Sequence, residues 1–269
     1  MEFSRMNLHI YGPTGGGKTT NALNLCRDHA LECGNKNFRT LILDYDNLPA
    51  SRAEDNVLDH QKGFIENFDV IGILQENKAN KGKEKRSKKD TFWAFPKYES
   101  IDYNASYHNM LNIFDELKDT ISQYNYIVVD SLFPVIRNNI AVAVWLAENP
   151  ERIAPIEEDW SAITPLRDMT FNHLVMMARR HKIPLIITGR MTDNYLNGDK
   201  VGETWSSSRE IASAASVRMT ISKPEPKKGA GLNIFTVVVD KTPASGVFVD
   251  EIKPGERELI DVLKDNGVL

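Results

Sequence analysis

At 269 residues, with 41% hydrophobic and 26% charged side chains, the chain is long and apolar enough to bury a sizeable core. Its formal net charge of −4 excludes a protein that grips nucleic acid over its whole surface, so any such contact has to be local. No apolar run reaches the length of a membrane span and the first residues lack a signal-peptide core, which predicts a cytoplasmic protein that does not engage a membrane.

Taken in chain order, residues 7–11 (NLHIY) alternate apolar and polar side chains as a short strand does. The stretch Gly12, Pro13, Thr14, Gly15, Gly16, Gly17, Lys18, Thr19 follows, with Thr20 behind it, and fits the spacing glycine, four residues, glycine, lysine, hydroxyl. Glycines let backbone N–H groups turn inward onto phosphate oxygens. The lysine supplies a positive charge at the β and γ phosphates, and the hydroxyl can join a Mg²⁺ shell. Residues 20–33 then predict a helix with Leu23, Cys26 and Ala30 along one stripe, stopped by Gly34. Strand, glycine loop, helix is the order such a loop requires, because the helix N-terminus adds its positive dipole end to the phosphate site. The alternative is a chance glycine-rich turn, and the flanking elements favour a nucleoside triphosphate site. Cys26 and Cys33 lie seven residues apart on one helix, too far for a disulfide, and read as reduced thiols.

Residues 38–44 predict a second strand, apolar enough to be buried on both faces, with Asp44 and Asp46 at its carboxyl end. In open α/β sheets ligands bind at that edge. Residues 48–67 read as partly helical and 68–74 as another short strand. Lys78, Lys81, Lys83, Lys85, Arg86, Lys88 and Lys89 then crowd together, with Trp93 and Phe95 just beyond. This is either a solvated loop or a contact for nucleic acid. In the second case Lys83, Lys85, Arg86, Lys88 and Lys89 would meet phosphates while Trp93 stacks on a base. Residues 105–123 carry apolar side chains at helical spacing. Residues 126–130 (YIVVD) predict a buried strand whose terminal Asp130 would accept from a metal-bound water or from the Thr19 hydroxyl. Residues 141–147 are apolar all round and predict a buried or interface element. A long helix follows from Trp160 to about Ala178, with a restart expected at Thr164 and Pro165. Residues 183–189 form the next predicted strand, with Arg190 at its end. Residues 191–209 read as a polar loop. Strands are predicted at 217–222, 233–240 and 247–252, and a short helix at 256–266.

The order of these features resembles RecA-like P-loop ATPases, and more closely the compact RecA-core nucleotide-binding proteins of phages and archaeal viruses, some of which assist single-strand annealing and recombination. The resemblance covers roughly residues 6–252. It implies an α/β fold, with a mostly parallel central sheet flanked by helices and an antiparallel C-terminal extension. One domain would span 1–269, with a Lys-rich insertion at about 76–97 and an excursion at 132–158. ATP and Mg²⁺ would be its cofactors, and a host cytoplasm its place if the protein is viral.

Carried onto this chain, the resemblance gives Lys18 and Thr19 the phosphate and Mg²⁺, and Asp130 the acidic end of the metal-site strand. Asp46 stands where the family has a glutamate orienting the attacking water; its carboxylate is one methylene shorter. Arg190 takes the place of a polar γ-phosphate sensor, able to offset transition-state charge, against the plainer reading of a surface salt bridge. Lys241 lies in a turn like the one that reaches a neighbouring subunit's nucleotide in rings and filaments, which implies self-association. Residues 191–209 match the place of a DNA-binding loop but carry few cations. The work implied is recombination, repair or replication on single-stranded DNA. A nucleotide-gated assembly or packaging protein with slow hydrolysis and a small-molecule kinase remain as alternatives. A GTPase is disfavoured, because its guanine-reading motif is missing its acid.

Overall fold

The computed structural model describes residues 2–13, 15–45, 65–69, 72–73, 101–130, 134–196, 199–205, 214–223, 234–242 and 246–269. In chain order these form β1 (Asn7–Gly12), α1 (Lys18–Glu32), β2 (Thr40–Asp44), β3 (Ile65–Asp69), β4 (Gly72–Ile73) and β5 (Ile101–Asp102). Next come α2 (Tyr103–Thr120), β6 (Tyr126–Asp130), α3 (Pro134–Glu148), α4 (Trp160–His181), β7 (Leu185–Leu196) and β8 (Asp199–Trp205). The chain closes with β9 (Val217–Ser222), β10 (Phe235–Lys241), β11 (Phe248–Ile252) and α5 (Leu259–Asp265). Among the described residues no helix is long and apolar enough to cross a membrane.

The nine-stranded sheet runs in the order β11-β10-β9-β1-β7-β6-β2-β3, with β8 attached to β7 alone; β4 and β5 pair separately. Every pairing from β9 to β3 is parallel, whereas β9, β10 and β11 are antiparallel to one another. The expected α/β architecture, with its antiparallel C-terminal extension, is therefore what the chain adopts. Side-chain alternation splits the core in two. Leu8, Ile10, Ile42, Val128, Ile186 and Met219 face α1 and α5. Leu41, Leu43, Ile127, Val129, Leu185 and Ile187 face α2 and α4 on the other side. In the apolar stretch at 141–147, part of α3, Ala141, Val144 and Trp145 are buried while Ala147 is exposed, and Ala141 and Trp145 pack on Ile163 of α4.

Several elements differ from the sequence expectation. β1 is a strand, as its alternation predicts, and is buried along its whole length, polar positions included. Its polar side chains satisfy one another. The Asn7 amide nitrogen donates to the Ala214 carbonyl at 3.0 Å, which leaves its oxygen 3.2 Å from His9 Nε2. That nitrogen therefore carries the ring hydrogen, and His9 Nδ1 accepts from the Tyr11 hydroxyl at 3.4 Å. Residues 65–67, read as part of a partly helical stretch, join 68–69, read as strand, in the edge strand β3, where Glu66 and Asn67 interrupt the apolar run. Residues 191–205, read as a loop, form a hairpin: β7 runs on past the sheet and folds back on β8, Met191 opposite Trp205. α4 starts at Trp160 and passes through Pro165 without a restart. Both cysteines are free, Cys26 buried and Cys33 exposed, and burial pushes the Cys26 thiol far above its ordinary value.

Replacing Asn7 by Leu removes the acceptor for His9 and the donor for Ala214. We expect a loss of about 1–3 kcal/mol, read as a lower urea midpoint at unchanged slope. At the other end of the chain Arg257 donates to both oxygens of Asp250, at 2.5 and 2.8 Å, and Asn266 of the segment after α5 adds a third bond at 3.1 Å. The Arg257 hydrogen bonds hold the Asp250 carboxyl below its ordinary value. Its contribution to stability is therefore complete above the unfolded-state value of about 3.9 and disappears as pH falls through the lowered native one. Denaturation between pH 7 and about pH 2 should show that acid-side loss, and Arg257→Met should shrink it.

Candidate functional site

Strand parity aims the chemistry. On the face covered by α1, Ile42 is followed two residues on by Asp44, Val128 by Asp130, and Ile186 by Thr188 and then Arg190. All of them end at the carboxyl edge of the parallel strands, where the glycine loop leaves β1. The positions that build the core on this face also present polar groups beneath the N-terminus of α1.

The loop itself is pressed against β9. A Cβ on Gly12 would sit 2.0 Å from the Ile221 carbonyl oxygen, so only glycine lets the two backbones meet. Gly17 has φ +81°, and a Cβ there would lie 2.6 Å from Cε1 of Phe235. Pro13, Gly15 and Gly16 complete the described part of the loop; Thr14 lies outside the described residues. The Gly16 N–H donates to the Pro13 carbonyl at 3.1 Å. Lys18, only 9% exposed, donates from Nζ to the same carbonyl at 2.8 Å, so its ammonium lies across the mouth of the loop. Thr20 is partly buried in the first turn of α1.

At the next position Thr19 donates from Oγ1 to Asp130 Oδ2 at 2.7 Å, and the Thr188 hydroxyl donates to Oδ1 of the same carboxylate. Asp130 is 7% exposed, and Asp44, its register partner on β2, is 6% exposed. A hydroxyl touching a buried carboxylate is an oxygen-only donor set carrying negative charge, with a second carboxylate alongside. That chemistry fits Mg²⁺, which takes one or two carboxylates and completes its shell with water and phosphate. Among the described residues no group of three or more His, Cys, Asp or Glu could hold a metal by itself, as expected if phosphate supplies the remaining ligands.

The expected residues divide as follows. Gly12, Pro13, Gly15, Gly16, Gly17, Lys18, Thr19, Thr20 and Asp130 come together. Arg190 pairs in register with Gly12 and shares the face of Thr188, next to the loop. Lys241 pairs with Arg218 near the opposite end of the sheet, well away from this loop. Asp46, Lys83, Lys85, Arg86, Lys88, Lys89 and Trp93 lie outside the described residues. Two participants were not singled out for this role from the sequence. Thr188 sits inside an apolar strand and carries no local signal. Asp44 is read from the sequence, with Asp46, as one of two carboxylates at the ligand-binding edge but is given no place beside the metal-site acid, although the apolar residues at 41 and 43 already put it on the face of Ile42.

Sheet order and strand pairing define an α/β fold with a mostly parallel central sheet and an antiparallel C-terminal extension, with the glycine loop and the Asp130 carboxylate at its carboxyl edge. Among solved structures the chain is similar to the crystal structure of the RadB recombinase, at 16% identity over 94% of this chain and 89% of that one, with a TM-score of 0.49. No family model and no curated protein matches the sequence.

Thr188→Val keeps the shape of the side chain but leaves Asp130 with one donor fewer. We expect a roughly 10-fold or greater loss of divalent-cation affinity, as for other groups that orient a metal-site carboxylate. Mn²⁺ titration in the presence of nucleotide measures it, and the thermal midpoint without metal serves as the control for folding.

Proposed function

We propose that this chain is a Mg²⁺-dependent ATPase of the RecA-like class, acting on single-stranded DNA in recombination, repair or replication. The observation that carries the nucleotide part is the Thr19–Asp130 contact beneath the Lys18 ammonium. In this reading the loop amides and Lys18 hold the β and γ phosphates. Thr19 and Asp130 hold Mg²⁺, which when bound offsets phosphate charge. Arg190, in register with Gly12, would meet charge developing on the γ phosphate. Asp46 would orient the attacking water.

The DNA part is supported by composition. Lys83, Lys85, Arg86, Lys88, Lys89 and Trp93 concentrate cations and an aromatic ring in a chain of net charge −4, the pairing that suits phosphates and bases. The β7–β8 hairpin suits DNA less well, since Asp193, Asp199 and Glu203 outnumber Lys200. Assembly into a ring or filament is supported by the remoteness of Lys241 from its own chain's loop, because a role in turnover then requires a neighbour.

ATP turnover measured with and without Mg²⁺ and single-stranded DNA tests the whole reading. Turnover should require Mg²⁺ and rise with DNA at low salt, and Lys18→Ala should abolish it. Unchanged activity in Lys18→Ala would remove the site assignment. A lack of both DNA binding and DNA stimulation would remove the recombination reading and leave the nucleotide site standing. Mixing Lys241→Ala with Lys18→Ala chains should restore part of the activity if a neighbour supplies Lys241.

A further inference from the structure

The glycine loop lies at the carboxyl edge of the parallel strands, and the opposite edge carries a concavity of its own. An open cavity of about 370 Å³ lies where β6 and β7 begin, between the last turns of α1 and α4. Its volume is at the lower end of the range for small-molecule sites. Ile183 and Pro184 give it some apolar surface, and most of the remaining lining is polar.

That polar lining is made of donors. Asn35 Oδ1 accepts from the Asn37 N–H at 3.1 Å and Asn125 Oδ1 from the Arg39 N–H at 2.9 Å, so what each amide has left to offer is its NH₂. Tyr126 is buried, which pushes its phenol well above the ordinary value and keeps its hydrogen in place. Its hydroxyl lies 2.9 Å from His29 Nδ1 and donates there, which puts the imidazole hydrogen on Nε2. Burial also holds His29 below its ordinary value, so the ring keeps this neutral form at pH 7. Its Nε2–H meets only the Cys33 sulfur, a weak acceptor at 3.8 Å. Lys182 adds an ammonium, Ser122 a hydroxyl and His181 a second imidazole. No Asp or Glu is among the lining residues, and Glu32, whose charge reaches His29, is engaged by Lys264.

Lys182 is also held at a cost. Its φ of +56° is the left-handed conformation that glycine or asparagine usually takes at a helix end, and among the described residues no other non-glycine has a positive φ. The N–H groups of Lys182 and Ile183 bond the Arg179 and Ala178 carbonyls, and those of Gly34 and Asn35 bond Leu31 and Ala30. These carbonyls at both helix ends are thus capped by the chain itself. Arg179 and Arg180 are exposed just before Lys182, and Arg179 shares with Arg5 an adjoining cleft that meets the cavity at Ser4 and Ile183. In a chain of net charge −4 this is a local concentration of cations around a donor-lined hollow.

We propose that this cavity is a second ligand site, which takes a small phosphate monoester of about mononucleotide size through Lys182, His29, Asn35 and Asn125. A carboxylate offers about four acceptor positions, whereas the three terminal oxygens of a phosphate accept more and suit this many donors. The site lies at the other end of the same strands from the glycine loop and does not depend on how that loop is read.

The test uses the full chain in Mg²⁺-free buffer and compares calorimetric binding of deoxyadenosine 5′-monophosphate, inorganic phosphate and deoxyadenosine. The monophosphate should bind, inorganic phosphate should compete with it, and the nucleoside should not bind. Lys182→Gly removes the charge while relieving the backbone. Asn125→Asp keeps the acceptor for Arg39 and replaces the donor by a negative oxygen. Each should weaken the monophosphate by about tenfold or more, with the thermal midpoint as the control for folding. Lys18→Ala should bind it within about twofold of wild type. An absence of monophosphate binding, or equally tight binding of the nucleoside, would overturn the proposal. So would loss in Lys18→Ala with full affinity in Lys182→Gly and Asn125→Asp, because the ligand would then sit in the glycine loop.

Discussion

A single buried carboxylate joins the three elements on which the site depends. Asp130 accepts from Thr19 of α1 and from Thr188 of β7, while its own backbone belongs to β6. Neighbouring strands stand about 4.8 Å apart, so with β7 between them β1 and β6 are separated by roughly 10 Å. The glycine loop cannot reach Asp130 within the plane of the sheet. α1 crosses that gap from above with Thr19, and Thr188 fills it from below with a small side chain that can still donate. Removing β7 from its place would bring the loop strand against the acidic strand and close the gap that Thr19 and Thr188 now span.

The same alternation that makes a two-sided core points the functional groups. Leu8 and Ile10, Ile42, Val128 and Ile186 are fully or almost fully buried under α1 and α5. Moving two residues toward the carboxyl edge from these rows reaches Gly12, Asp44, Asp130 and Thr188. Core and chemistry are thus one register, and a one-residue slip of β2 or β6 toward the carboxyl edge would exchange Asp44 for Leu43 or Asp130 for Val129. The glycine loop adds its own constraint. Its backbone is so close to Ile221 and Phe235 that side chains at 12 and 17 are excluded before any ligand arrives.

What could be read from the sequence follows from how local each signal is. The loop from Gly12 to Thr19 announces itself through glycine spacing, and Asp130 through an apolar run that ends in an acid. Both are properties of a few consecutive residues. Thr188 is meaningful only because β7 lies between β1 and β6, which no window of sequence contains. The polar Asn7 and His9 give no sign that β1 is buried throughout, since hydropathy does not register that the two side chains satisfy each other. The hairpin of β7 and β8 was missed for a related reason. Asp193, Asn194 and Glu203 defeat an apolar alternation, and the strand is defined by its pairing. α4 carries a proline in its interior, which suggested a boundary where the chain has none. Asp44 could have been read correctly from parity with Ile42.

The place of β1 has a consequence for how the chain reaches this structure. β1 is flanked by β7, with Asn7 in register with Leu185, and by β9, with Leu8 in register with Val217. The Asn7 backbone N–H is bonded to the Ser216 hydroxyl across 209 residues of sequence. The glycine loop is thus synthesised well before the strands that seat it. Its strand has no lasting partner on either side until some two hundred further residues have been made. Contacts of that range carry a loop-closure cost before they return any stabilisation, and they slow folding. On a ribosome making roughly 5–20 residues each second, this implies an interval of about ten seconds or more in which an apolar strand and its glycine loop wait without a sheet.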